Sequence, residues 1–217
     1  MMEPAATIDH LVVTAPNLKA GVQWVRDALG ATPELGGKHP RMGTHNCLLR
    51  LGAKTYLEVI AVDPNAPPPG RDRWFGLDDI GRGDEPRLAA WVARCADIGK
   101  AMTLAGEALG EVEPMSRGDL SWLISLGNGG TLPMGGIAPI LIQWKTAIHP
   151  ASGMRDSGCS LSSLDLYHPE SARISRLLQS IGFEDTRVHL HPAAPGEPPR
   201  IAATVLVQGK ERVLPSS

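Results

Sequence analysis

An α+β chain built from tandem β-α-β-β-β units, with a partial third β-α-β-β copy, is the fold this sequence predicts. Three observations predict it. Short apolar runs of strand length are separated by turns rich in glycine and proline. Helix-spaced apolar residues follow the first strand of each unit. The same order of elements then restarts twice along the chain.

The first strand falls at residues 7–14, where simple alternation puts Ile8, His10, Val12 and Thr14 on one face. Asn17 N-caps a helix whose apolar side carries Leu18, Val22, Val25 and Leu29, and Gly30 ends it. A short strand at 32–35, a loop at 36–40, and strands at 44–51 and 55–62 complete the unit. The proline-rich run 63–70 is an extended connector. It leads into Arg71-Asp72-Arg73-Trp74-Phe75-Gly76, which either folds over a cleft or docks on the core. The pattern restarts with a strand at 87–96, a helix from Ile98 capped by Asp97, strands near 109–115 and 121–126, a glycine-rich turn at 127–136 and a strand at 137–144. A less complete copy has a strand at 160–167, a helix opened by Pro169-Glu170, and strands near 183–190, 201–207 and 212–214.

The 217 residues are 42% hydrophobic, enough to fill a core. A net charge of −2 offers no basic field for phosphates, so a nucleic-acid partner is not expected. No apolar run approaches the roughly 18–20 residues that span a bilayer, and no signal peptide is expected. Cys47, Cys95 and Cys159 form no CxxC pair, which points to a reducing, cytoplasmic setting.

Chemistry concentrates in the first unit. His10 sits among Ile8 and Val12, and Glu58 sits in the apolar run Leu57-Glu58-Val59-Ile60. A carboxylate in a strand core needs a cation, a histidine or a metal beside it. A shared His10–Glu58 site suits Zn, Mn, Fe, Ni or Co without choosing among them. The alternative is a degenerate site in which the two side chains simply pair. His45 is a candidate to orient a ligand or act as general base. Tyr56 shares a face with Glu58 and offers a hydrogen bond to a substrate oxygen. His189-x-His191 borders a proline-rich loop and reads as surface. Cys47 has no triad logic around it.

With His in the first strand (Ile8-Asp9-His10-Leu11-Val12-Val13) and Glu in the fourth (Tyr56-Leu57-Glu58-Val59-Ile60), the chain resembles the vicinal oxygen chelate, or glyoxalase/bleomycin-resistance, superfamily. The segments Asp63-Pro64 to Asp78, and Ile142-Gln143-Trp144 followed by His149-Pro150, are similar to its glyoxalase-like domain branch. The resemblance implies a cupped, open barrel-like sheet over residues 5–150, with modules at about 5–63 and 86–146; by element order alone, a C-terminal β-α-β-type module at 155–214 is expected to pack on it. It also implies a divalent metal in the cup that chelates neighbouring substrate oxygens. By position its ligands are His10, Glu58 and Gln143, with Trp91 in the place of a fourth and walling the pocket. Glu58 or His45 then serves as base, and Arg73 and Trp74 cap the ligand. The implied function is a metal-dependent lyase, isomerase or dioxygenase acting on a small molecule with vicinal oxygens. The competing expectation is a non-catalytic binding or sequestering protein with no metal. A homodimer is expected from the open sheet edges.

Overall fold

The computed structural model describes residues 5–107, 109–194 and 196–214. The first unit runs β1 (Ala6–Thr14), α1 (Leu18–Leu29), β2 (Glu34–His39), β3 (Thr44–Gly52) and β4 (Thr55–Val62). The second runs β5 (Arg87–Cys95), α2 (Ile98–Ala105), β6 (Glu111–Arg117), β7 (Leu120–Leu126) and β8 (Ile140–Trp144). The third segment runs β9 (Cys159–His168), α3 (Ser171–Ser180), β10 (Val188–Pro192), β11 (Arg200–Val207) and β12 (Lys210–Leu214).

The helix ends follow their sequence signals. The Asn17 side chain accepts from the Ala20 N–H and that of Asp97 from the Lys100 N–H, while Gly30 takes the left-handed C-cap conformation. Gly21 lets α1 lie close on β4, because a Cβ there would meet a Val59 methyl at 2.4 Å. The β2 strand departs from expectation: the stretch assigned to a loop at 36–40 is mostly strand, with Gly37, Lys38 and His39 paired to β3. Register to β3 outweighs the weak strand propensity of the two glycines.

Strands β1–β8 form one curled sheet in the order β2-β3-β4-β1-β5-β8-β7-β6. The units mirror one another, with β1 parallel to β4 and β5 parallel to β8, and they join by antiparallel pairing of β1 with β5. Curling brings the two edge strands together. The Arg117 side chain on β6 passes over Gly37 on β2, where a Cβ would meet its Cδ at 2.8 Å. Arg41 binds the Pro114 carbonyl at 2.7 Å and Glu113 at 2.6 Å across the same seam.

The third segment keeps the predicted order of elements, but its strands are wired differently. They form a separate sheet, β10-β9-β11-β12, in which β9 lies between β10 and β11. In the first two units the opening strand instead pairs with the last. This sheet packs against the outer face of the cup, where Leu164, Leu166, Ala203 and Val205 join α1, α2, α3 and Trp91 in one core. A second core, of Val12, Ile60, Trp74, Phe75, Val92, Trp122, Ile124 and Ile142, lines the inner face.

Candidate functional site

The inner face is reached through a β-bulge. Pairing of β1 with β5 slips between Ile8 and His10, so strict alternation fails there. Ile8 packs in the outer core with Leu11 and Val13, while His10 turns into the cup. The bulge also lets two consecutive side chains meet: His10 Nδ1 lies 2.7 Å from Asp9 Oδ1.

Asp9 is fully buried and organises the site. Its other oxygen accepts from Trp144 Nε1 at 3.0 Å and His149 Nε2 at 2.9 Å. Burial alone would raise the carboxyl's pKa, but the hydrogen bonds from His10 and His149 and their charges hold it well below the ordinary range. Because a carboxylate only accepts, His10 carries its proton on Nδ1. Its Nε2 then faces Glu58 Oε2 across 3.7 Å, too far for a hydrogen bond. Tyr56 stacks on the His10 ring at 4.5 Å. Burial, then the charges of Asp9 and Glu58, push the Tyr56 hydroxyl well above its usual pKa, so it stays a donor.

Glu58 is equally well held. Its Oε1 accepts from Asn46 Nδ2. Asn46 Oδ1 in turn accepts from the Gly37 N–H at 2.8 Å and from Arg117 Nη1 at 3.0 Å. Arg117 Nη1 also reaches His39 Nε2 at 3.3 Å, and His39 Nδ1 meets Thr44 Oγ1 at 3.2 Å. Burial lowers the His39 pKa to about 4, opposed by Glu58, so the ring is neutral near pH 7. Trp74 Nε1 donates to the same Thr44 hydroxyl at 3.2 Å. An aromatic wall of Trp74, Phe75, Trp122 and Trp144 closes the pocket, whose cavity volume is about 30 Å³. Phe75 holds a left-handed backbone (φ 60°) to take its place there, a strained conformation for such a residue.

His10, Glu58, Tyr56 and Trp74 thus come together in one pocket. The other expected residues do not join them. Gln143 lies on the outer face, donating to the Ala96 carbonyl at 2.7 Å and accepting from the Ile98 N–H at 3.2 Å, where it supports the start of α2. Trp91 is level with Leu11 rather than His10, so it faces the outer core, against Phe183 and the Ile137 carbonyl. The inward positions are Val92, Ile142 and Trp144. His45 alternates with Asn46, stands across from Lys38 and Ala61, and is absent from the pocket wall. The connector does fold over the cup, but Arg73 turns back to Asp78 at 2.5 Å. Asp9, His39, Asn46, Arg117, Trp122 and His149 were not singled out as site residues from sequence. Only the pairing of Asp9 with an adjacent His10, and His149 beside the family-like segment, offered a signal.

The donor set does not fit a metal held by this chain. His10 Nε2 and Glu58 Oε2 are two usable donors, and His10 is oriented by a carboxylate as metal-bound histidines are. A catalytic zinc ordinarily takes three protein ligands. Among the described residues no three His, Cys, Asp or Glu side chains are so grouped. The second unit contributes Ile124, Ile142 and Trp144, and Arg117 adds a cation.

A family profile for the glyoxalase-like domain matches residues 8–182. The chain belongs to the glyoxalase-like domain family. That places it in the vicinal oxygen chelate superfamily, whose cupped sheet it shares. A hypothetical protein from Staphylococcus aureus has a similar structure at a TM-score of 0.56 and 13% identity, with 96% of this chain and 84% of that one covered. Methylmalonyl-CoA epimerase from Mycobacterium tuberculosis aligns at 0.40 and 12% identity, over 66% and 91% of the two chains. A methylmalonyl-CoA epimerase in complex with methylmalonyl-CoA aligns at 0.43 and 12%, over 65% and 95%. No curated protein matches the sequence. Among the described residues no helix is long and apolar enough to cross a membrane.

Proposed function

We propose that this glyoxalase-like chain is a small-molecule enzyme that moves a proton on a carbon next to a carbonyl, within a ligand bearing adjacent oxygens. The observation that carries this reading is the chain Asp9–His10–Glu58. An Asp9 that is ionised near pH 7 fixes the His10 tautomer, and His10 Nε2 and Glu58 Oε2 face the pocket 3.7 Å apart, neither satisfied by the other. Glu58 takes the C–H proton and the bonding pair passes to the carbonyl oxygen. The Tyr56 hydroxyl donates a hydrogen bond to that oxygen. Return of the proton to the same carbon completes an exchange or epimerisation; its delivery to the neighbouring carbon, with the hydroxyl proton crossing from one oxygen to the other, completes an isomerisation.

Deuterium incorporation from D₂O, followed by proton NMR over a panel of 2-hydroxy ketones and 2-oxo acids, tests this. The wild type should exchange at least one panel member, and Glu58→Gln should slow that exchange by about 10²-fold or more, the usual contribution of a general base. Undiminished exchange in Glu58→Gln would rule out the assignment. A non-catalytic binder is the second reading, favoured by the apolar half of the cup around Trp122, Ile124 and Ile142. It predicts binding without exchange.

A further inference from the structure

Arg117 is the cation of the pocket that has no acid beside it. Among the described residues it forms no ion pair, although Arg41, Arg71, Arg73, Arg173 and Arg187 each hold a carboxylate. Only its Nη1 is engaged, by the neutral acceptors Asn46 Oδ1 and His39 Nε2. Among the described residues the Nε–Nη2 edge, the side-on fork of the guanidinium, has no hydrogen-bond acceptor, although its Nε end lies over Gly37. Arg117 lines the same pocket as Glu58, His10 and Tyr56, and Asn46 spans the two ends by bonding Arg117 with its oxygen and Glu58 with its nitrogen. A part-buried guanidinium with a bare fork calls for a planar, two-oxygen anion. The uncharged His39 beside it adds no competing charge.

We propose that Arg117 anchors a carboxylate of the ligand, and that the substrates are small 2-oxo monocarboxylates whose reacting C–H lies on the carbon beyond the keto group. The anchored end rests at the seam between β2 and β6. The aromatic wall covers a flat or apolar body, and the keto oxygen and the C–H beside it are delivered toward Tyr56 and Glu58. A carboxylate rather than a phosphate fits because one planar fork is on offer and no second cation stands in the pocket wall. This inference rests on the proton-transfer reading only for the direction in which the ligand points.

Isothermal titration with benzoate, phenylacetate and 2-oxobutyrate, each against its primary amide, and with methylphosphonate, tests the anchor. At least one carboxylate should bind about tenfold or more tightly than its amide, the scale of a charge-assisted bidentate contact. Arg117→Gln should bring that ratio close to one, and Arg117→Lys should leave an intermediate ratio, because lysine keeps the charge and loses the fork. Amide affinity serves as the internal control for folding. If Arg117→Gln fails to fold, Arg117→Lys alone decides. Equal binding of acid and amide by the wild type, a ratio unmoved in Arg117→Gln (or in Arg117→Lys where that variant decides), tighter binding of methylphosphonate, or no binding of any probe would each overturn the proposal. Preference for acids without deuterium exchange would uphold Arg117 as the anchor while overturning the proton-transfer reading.

Discussion

Replacing Asp9 by asparagine tests whether one buried carboxylate sets both the stability and the tautomer of the site. Asp9 accepts from three N–H groups, those of His10, Trp144 and His149, at 2.7, 3.0 and 2.9 Å. Hydrogen bonds to a charged acceptor contribute about 1.5–3 kcal/mol, against about 0.5–1.5 kcal/mol for neutral ones. Losing the charge across three bonds therefore costs about 3 kcal/mol. In a chain of this size that lowers Tm by roughly 6–12 °C. The amide oxygen can keep the bonds from Trp144 and His149, which turns its NH₂ toward His10 Nδ1. His10 must then accept on Nδ1 and carry its proton on Nε2, toward Glu58. Since the folded-state pKa of Asp9 is depressed, its stabilisation is present above the ordinary carboxyl value of 3.8 and is lost as pH falls further. The Tm gap between wild type and Asp9→Asn should thus be full at pH 7 and shrink below about pH 3.8. Thermal melts over that range, with ¹⁵N NMR of the His10 ring, measure both effects. A gap under about 1 kcal/mol at pH 7, or an unchanged His10 tautomer, would refute the reasoning.

Three further outcomes are expected. His39 titrates at about 4 when folded and 6.5 when unfolded, so its burial costs stability as pH falls from 6.5 toward 4. His39→Gln should flatten the stability profile in that window, by up to about 3 kcal/mol at its acid end; denaturant titrations at pH 7, 5 and 4 give the comparison. Gln143→Ala should cost about 1 kcal/mol through the start of α2 and leave ligand binding unchanged, as melts and titration calorimetry will register. With only two donors, the cup should not retain stoichiometric Zn, Mn or Ni after loading and desalting. Elemental analysis that found one metal per chain, lost in His10→Ala, would contradict the fit drawn from the donor set.

Sequence by itself determined the periodic features. The two β-α-β-β-β units, the caps Asn17, Gly30 and Asp97, and the strand positions of His10 and Glu58 all follow from local patterns, because alternation, helical spacing and capping act over a few residues. Only the tertiary structure decided which side chains meet. The bulge between Ile8 and His10 reversed one face and joined Asp9 to its neighbour. Cross-strand register placed Val92, not Trp91, level with His10. Gln143 is level with Leu123, on the outer face, and Trp144 with Trp122 in the cup. A one-residue difference in register exchanges the two faces of a strand, and nothing in the local pattern of β5 or β8, buried on both faces, reports it. Arg117 was invisible for another reason. It stands 59 residues beyond Glu58 in the chain, and it enters the pocket only because curling of an eight-stranded sheet brings its two edges together.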